Sequence, residues 1–388
     1  MNIRTITLGV RDDNLSESIP AAYEARARLQ AAGYKVQELR LALSFQSIPP
    51  GHTLVSMAID AERKALDAGF SLVSLGRIRF ECMPQIADAL AATRIVTCSG
   101  RIAGRDGVIS QEGIRASAET IVANSRVNLD GLANFRFAAM AGVGPGYPFF
   151  PAAYHDGGSP WIAIGPETAA LGHQALAQQL VQQDAMLEMP KRLEQLTRLI
   201  EYHDQHIRAA LQGLEADHKV FVTGCDWSLT GGMTSDTSVG GLIEQLSGVP
   251  FGAMGTLVAI SELNKAIRAA RVHLIGFSGV ILPIIGDQVL AERNLQEPPS
   301  YRLRDLLSFS SVYGMGLDTI PLPGDSKVDQ IVRILSEVAA LAGSLRKPLI
   351  ARLIPMPSLQ ARDLIDLDSS TDTSFAPFVF HSRVMELL

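Results

Sequence analysis

Short strand-like apolar runs alternate with helix-length segments along almost the whole chain, and that alternation narrows the architecture more than any other feature. Strands separated by helices call for a mostly parallel sheet covered by those helices. Residues 3–10 predict a first strand. A helix over 17–32 follows and stops at Gly33, a residue that accepts the left-handed backbone of a helix end. Further strands are expected at 36–41, 72–75 and 94–98, with helices over 53–69, 84–92 and 112–124. Strands near 134–141 and 161–165 flank residues 142–160, which are too rich in Gly and Pro for a regular element. A loop of that length is usually functional. A helical stretch over 166–216, interrupted near Pro190, precedes a strand at 219–223. Helices near 239–247, 256–270, 301–313 and 326–345, and strands at 272–277 and 349–354, complete the pattern.

Composition excludes several classes. The 388 residues are 47% apolar and 19% charged, enough to bury a large core and too apolar for extensive disorder. The net charge is −6 and the Lys and Arg residues are scattered, so nucleic acid is not an expected partner. Cys82, Cys98 and Cys225 are too few and too dispersed for a disulfide framework or a zinc cluster. There is no leader-like start and no uninterrupted apolar span, so a cytoplasmic protein without membrane contact is expected. No Walker loop is present. Gly142-Val143-Gly144-Pro145 lacks the strand–turn–helix setting of a dinucleotide site, so no nucleotide cofactor is expected.

The candidate chemistry is mostly carboxylate. Asp226 directly follows a predicted strand, where a side chain can be aimed into a ligand crevice as a cation ligand or general base; a turn or helix-cap role competes. Asp318 and Asp325 lie seven apart on a Pro- and Gly-stiffened segment that could point both at one hard cation, although Asp325 is also placed to cap the helix after it. His155, beside Asp156 in the long loop, is a candidate proton shuttle or an exposed loop residue. Arg352, in a buried-looking strand, needs a partner, either Asp318 or a substrate carboxylate. His203 and His206 continue an apolar helical stripe and read as structural. Cys98 and Cys225 read as packing rather than nucleophiles. Residues 234–238, Thr-Ser-Asp-Thr-Ser, could bind an anion ahead of the next helix or simply cap it.

Several stretches carry a family resemblance: Asp226-Trp227-Ser228-Leu229, Gly276-Phe277-Ser278-Gly279, Leu282-Pro283, and the ten-residue run Gly316–Asp325. Lys347-Pro348-Leu349, Ala351–Pro355, the first strand and Phe149–His155 add to them. On these residues the chain resembles the uncharacterised family known as domain of unknown function 711. The resemblance implies an α/β fold: a single domain over 1–388, a ten-stranded α/β barrel of two half-barrels like that of pyruvate formate-lyase, with helices outside. The halves would be 1–165 and 217–388, joined by 166–216. It does not imply radical chemistry, because residues 358–388 contain no glycine to carry the radical.

The resulting expectation is a non-radical lyase or hydrolase, assisted by Mg²⁺, Mn²⁺ or Ca²⁺, acting on a small polar or anionic metabolite. Asp226 and Asp318 would be catalytic with His155. Asp226, Asp318 and Asp325 would hold the metal, and Ser228, Ser278, Gly279, Thr319 and Arg352 would contact substrate. The alternative is a non-catalytic small-molecule-binding or sensing protein on an enzyme-derived barrel. A homo-oligomer is the other partner to expect.

Overall fold

The computed structural model describes residues 1–387 apart from 46, 128–130, 178–187, 313 and 367–380. Its main sheet contains β1 (Asn2–Gly9), β2 (Lys35–Ala42), β3 (Leu72–Ile78), β4 (Val96–Ala103), β5 (Phe137–Ala141), β6 (Trp161–Pro166), β7 (Phe221–Cys225), β8 (Gly316–Pro323) and β9 (Leu349–Met356). The strand order is β7-β6-β1-β2-β3-β4-β5-β9-β8. β1 to β5 are mutually parallel, as the strand–helix alternation predicts. The pairs β6/β7 and β8/β9 flank them with opposite sense, joined through antiparallel β1/β6 and β5/β9 contacts.

Period-two alternation divides each strand between two environments. Ile6 and Leu8 of β1, Leu39 and Leu41 of β2 and Val73 of β3 are buried in the core shared with the helices. The opposite face is polar. There Thr7 is level with Arg40, Thr5 with Glu38, and Ser74 with Thr97. The loop over 142–160 covers this polar face. Ser74 Oγ donates to the Ala153 carbonyl at 2.7 Å and His155 N–H to Leu43 O at 3.1 Å. At Gly9 a Cβ would lie 1.9 Å from the Trp161 ring, so the end of the loop seats only because this position has no side chain.

Several expectations are corrected here. The run Gly316–Pro323 is a strand although it contains Pro321 and Pro323; it ends the sheet order, where a missing N–H costs no ladder bond. Residues 272–277 form no regular strand. The segment 274–283 instead makes single parallel bridges, Leu274 to Cys225 and Val280 to Leu229 on one side and Pro283 to Asp318 on the other. Among the described residues the helical stretch comprises Thr168–Ala177, Met189–Ala210 and Leu214–His218, and the interruption expected near Pro190 is the start of the second helix, with Pro190 in its first turn. The helix expected over 301–313 is only Leu303–Phe309.

Candidate active site

Three irregularities in the strands shape one cavity. Between Ile3 and Thr5 the β1/β6 register slips, so that Arg4 is the extra residue of a bulge, a device that re-aims side chains. Between Leu317 and Ile320 the β8/β9 register slips as well, bulging Asp318 and Thr319 opposite Arg352. The third slip, in β6/β7 at Thr223–Gly224, lies just before Asp226. The cavity these produce has a volume of about 120 Å³. Its polar lining includes Arg4, Arg40, Arg352, Asp226 and Ser228, and Phe149 and Phe150 of the loop form part of its apolar wall.

Asp226 is buried and heavily bonded. One carboxylate oxygen accepts from Ser228 N–H at 3.1 Å, Ser228 Oγ at 2.5 Å and Ser278 N–H at 2.9 Å; the other accepts from Phe277 N–H at 3.3 Å. Burial raises its pKa above the ordinary carboxylate range, against the opposing pull of those donors. Gly276 permits this clasp, since at φ 64° a Cβ there would lie 2.1 Å from Asp226 Oδ2. Ser278, at φ 38°, accepts from Trp227 N–H at 3.2 Å and donates to Ile275 O at 2.7 Å. Gly279 packs against Gly314. Ser278 and Gly279 therefore brace Asp226 and its loop.

Arg352 lines the cavity with its Nε 2.6 Å from Asp318 Oδ1, and its guanidinium lies over the rings of Phe149 and Phe135. Asp318, 1% exposed, sits behind that guanidinium. Thr319 is held at φ 49°, a strained backbone for a β-branched residue, and its buried Oγ1 has no partner among the described residues.

The remaining candidates do not join this group. His155 is buried within its own loop. Its Nδ1 accepts from Gly157 N–H at 3.0 Å and its Nε2 lies 3.1 Å from Ser159 O, so both ring nitrogens are engaged away from the cavity. Asp325 is exposed in the turn after β8, and the helix that follows begins at Val328, so it does not cap it. Among the described residues no three His, Cys, Asp or Glu side chains gather to hold a metal, and Asp226, Asp318 and Asp325 do not assemble as a ligand set. His203 Nδ1 meets Tyr34 Oη at 3.0 Å, and His206 Nδ1 meets Tyr202 O at 2.7 Å. Cys98 and Cys225 are buried; burial pushes the Cys98 thiol up to about 12 and raises that of Cys225 too. The amides after Thr234–Ser238 are occupied internally by Asp287, which accepts from Ser238 Oγ at 2.7 Å, Val239 N–H at 2.6 Å and Leu290 N–H at 3.1 Å.

Sequence reasoning missed Arg4, Arg40 and Asp287. A charged residue within a run otherwise suited to a buried strand was the available signal for both arginines. Asp287 offered only the cap pattern of a short polar residue before a helix.

The family description "Uncharacterised ACR (DUF711)" matches residues 1–368. The chain belongs to that family. A relative named UPF0210 protein, from Pyrobaculum islandicum, is 28% identical over 90% of this chain and 79% of its own length. Another of that name, from Acetivibrio thermocellus, is 25% identical over 94% of this chain and 88% of its own. A third, from Clostridium beijerinckii, is 23% identical with the same coverage. Among the described residues no helix is long and apolar enough to cross a membrane.

Proposed function

We propose that this family member is an enzyme performing proton-transfer chemistry, of the lyase or hydrolase kind, on a small anionic metabolite. Arg352 holds the anion, and Asp226 is the acid–base group. The observation that carries this is the sharing of one cavity by an anchored guanidinium and a buried carboxyl whose pKa is raised toward working pH. In this reading guanidinium groups supply the positive charge expected of a divalent cation, because Asp318 is already neutralised by Arg352. The same proposal extends to the fold: segment 274–283 closes the sheet into a ten-stranded barrel of the pyruvate formate-lyase kind, as its bridges to both β7 and β8 support.

The test is thermal melting of purified protein with small carboxylates and, separately, with Mg²⁺, Mn²⁺ or Ca²⁺. A ligand at a hundred times its Kd stabilises the folded state by about 2.7 kcal/mol. Carboxylates should raise the Tm, and Asp226→Asn should keep that rise while losing turnover in a screen of carboxylate metabolites. A rise with the cations and none with carboxylates would return the role to a metal. The second reading, a non-catalytic binding protein, is favoured by the four donors that already clasp Asp226. It predicts the Tm rise with no turnover by the unaltered protein.

A further inference from the structure

Arg40 and Arg352 reach the cavity in the same manner from opposite parts of the sheet. Each is tied back through Nε to a carboxylate, Arg40 to Glu38 at 2.8 Å and Arg352 to Asp318 at 2.6 Å. Each lies over an aromatic ring, Phe150 at 5.4 Å for Arg40 and Phe149 at 5.5 Å for Arg352. Those rings are consecutive residues of the loop over 142–160, so one short segment covers both arginines. Fixing Nε to a carboxylate orients the guanidinium plane and leaves the Nη donors to bind a second oxyanion. Among the described residues Arg352 Nη1 makes only a long contact, to Phe135 O at 3.5 Å.

Arg4 adds a third guanidinium on the side of Arg40. Burial lowers its pKa, and the like charge of Arg40 adds to that effect while Glu167 opposes it. Its Nη2 donates to Gly231 O at 3.4 Å, and no carboxylate among the described residues lies at ion-pair distance from it. A half-buried cation in that position, without a carboxylate partner among the described residues, is stabilised by an anion brought from outside.

We propose that the cavity takes a small dicarboxylate, one carboxylate on Arg352 and the other on Arg40 and Arg4. This rests on the reading of the cavity as an anion site and adds that the ligand has two charged ends. A single-headed anion satisfies one fork and leaves the other facing an apolar wall. The cavity volume of about 120 Å³ suits a short diacid and not a long one.

Calorimetric titration of the full chain with succinate, butyrate and inorganic phosphate tests this. Succinate should bind at least tenfold tighter than butyrate, and phosphate no tighter than butyrate. Arg40→Gln should bring succinate down to the affinity of butyrate while leaving butyrate within about twofold. If that variant melts early, Arg4→Gln carries the same expectation. Equal affinities for succinate and butyrate, phosphate binding as tightly as succinate, or a folded Arg40→Gln that keeps the preference would overturn the two-ended clamp alone. No binding of any of the three would overturn the anion site with it.

Discussion

Asp318 and Arg352 are a pair whose two halves have unequal freedom. Asp318 is closed off, whereas Arg352 opens onto the cavity. Removing the guanidinium alone strands a buried carboxylate, and Arg352→Ala is expected to cost about 3–5 kcal/mol. Denaturant midpoints check this, and adding Asp318→Asn to that variant should restore part of the loss. Asp226 predicts a pH dependence. Burial raises its folded pKa, so in the window above the unfolded carboxylate pKa the folded chain keeps a proton that the unfolded chain has released. Stability present at low pH is therefore lost as pH rises through the folded value. Asp287 shifts in the same direction for the same leading cause. Asp226→Asn should flatten the fall of Tm with pH, and a slope unchanged from the parent chain would show that Asp226 does not titrate as inferred.

At the scale of elements, the irregular pieces matter more than the regular ones. The turn carrying Gly276 presents Phe277 N–H and Ser278 N–H to one carboxylate. Gly276→Ala places a methyl on Asp226 and a left-handed backbone on alanine, and should destabilise by about 2 kcal/mol or more in chemical unfolding while leaving the ligand-induced rise in Tm in place. Asp287 plays a comparable part for two helices, capping Gln288–Leu295 and accepting from the first amide of Val239–Ser247. Its replacement by Ala leaves buried donors unpaired at both ends and should cost roughly 2–3 kcal/mol, measured by chemical unfolding. The anion expected at residues 234–238 is thus the chain's own carboxylate, from a residue 49 positions beyond Ser238.

For the whole molecule, the question is how the two flanking strand pairs are held. Leu229 N–H donates to Gly279 O at 3.0 Å, Ile281 N–H to Leu229 O at 2.9 Å, and Ile284 N–H to Asp318 O at 3.2 Å. If segment 274–283 seals the sheet, these three amides should exchange with solvent as slowly as those of β1 and become exposed only in global unfolding. Exchange on the timescale of surface loops would mean that the sheet stays open along this seam, and the proposed barrel would be withdrawn.

The order of strands and helices was legible because it depends on near neighbours: apolar period, glycine stops and proline-rich turns act over a few residues. Asp226 was legible for the same reason, as a short polar residue just past a strand. Residues 316–323 were not read as a strand because prolines argue against one locally, whereas the position at the end of the sheet order removes their cost. The convergence of Arg4, Arg40 and Arg352 on one cavity was beyond local reasoning. Arg4 is turned there by a one-residue slip against β6, more than 150 residues away in the chain, and Asp318 meets Arg352 through a second slip between β8 and β9. A slip changes which face a side chain occupies without changing the residues that flank it in sequence. Most strands and helices were therefore written locally, whereas the proline-bearing strand 316–323 and the sharing of one cavity by distant charges were decided only by how the strands register in three dimensions.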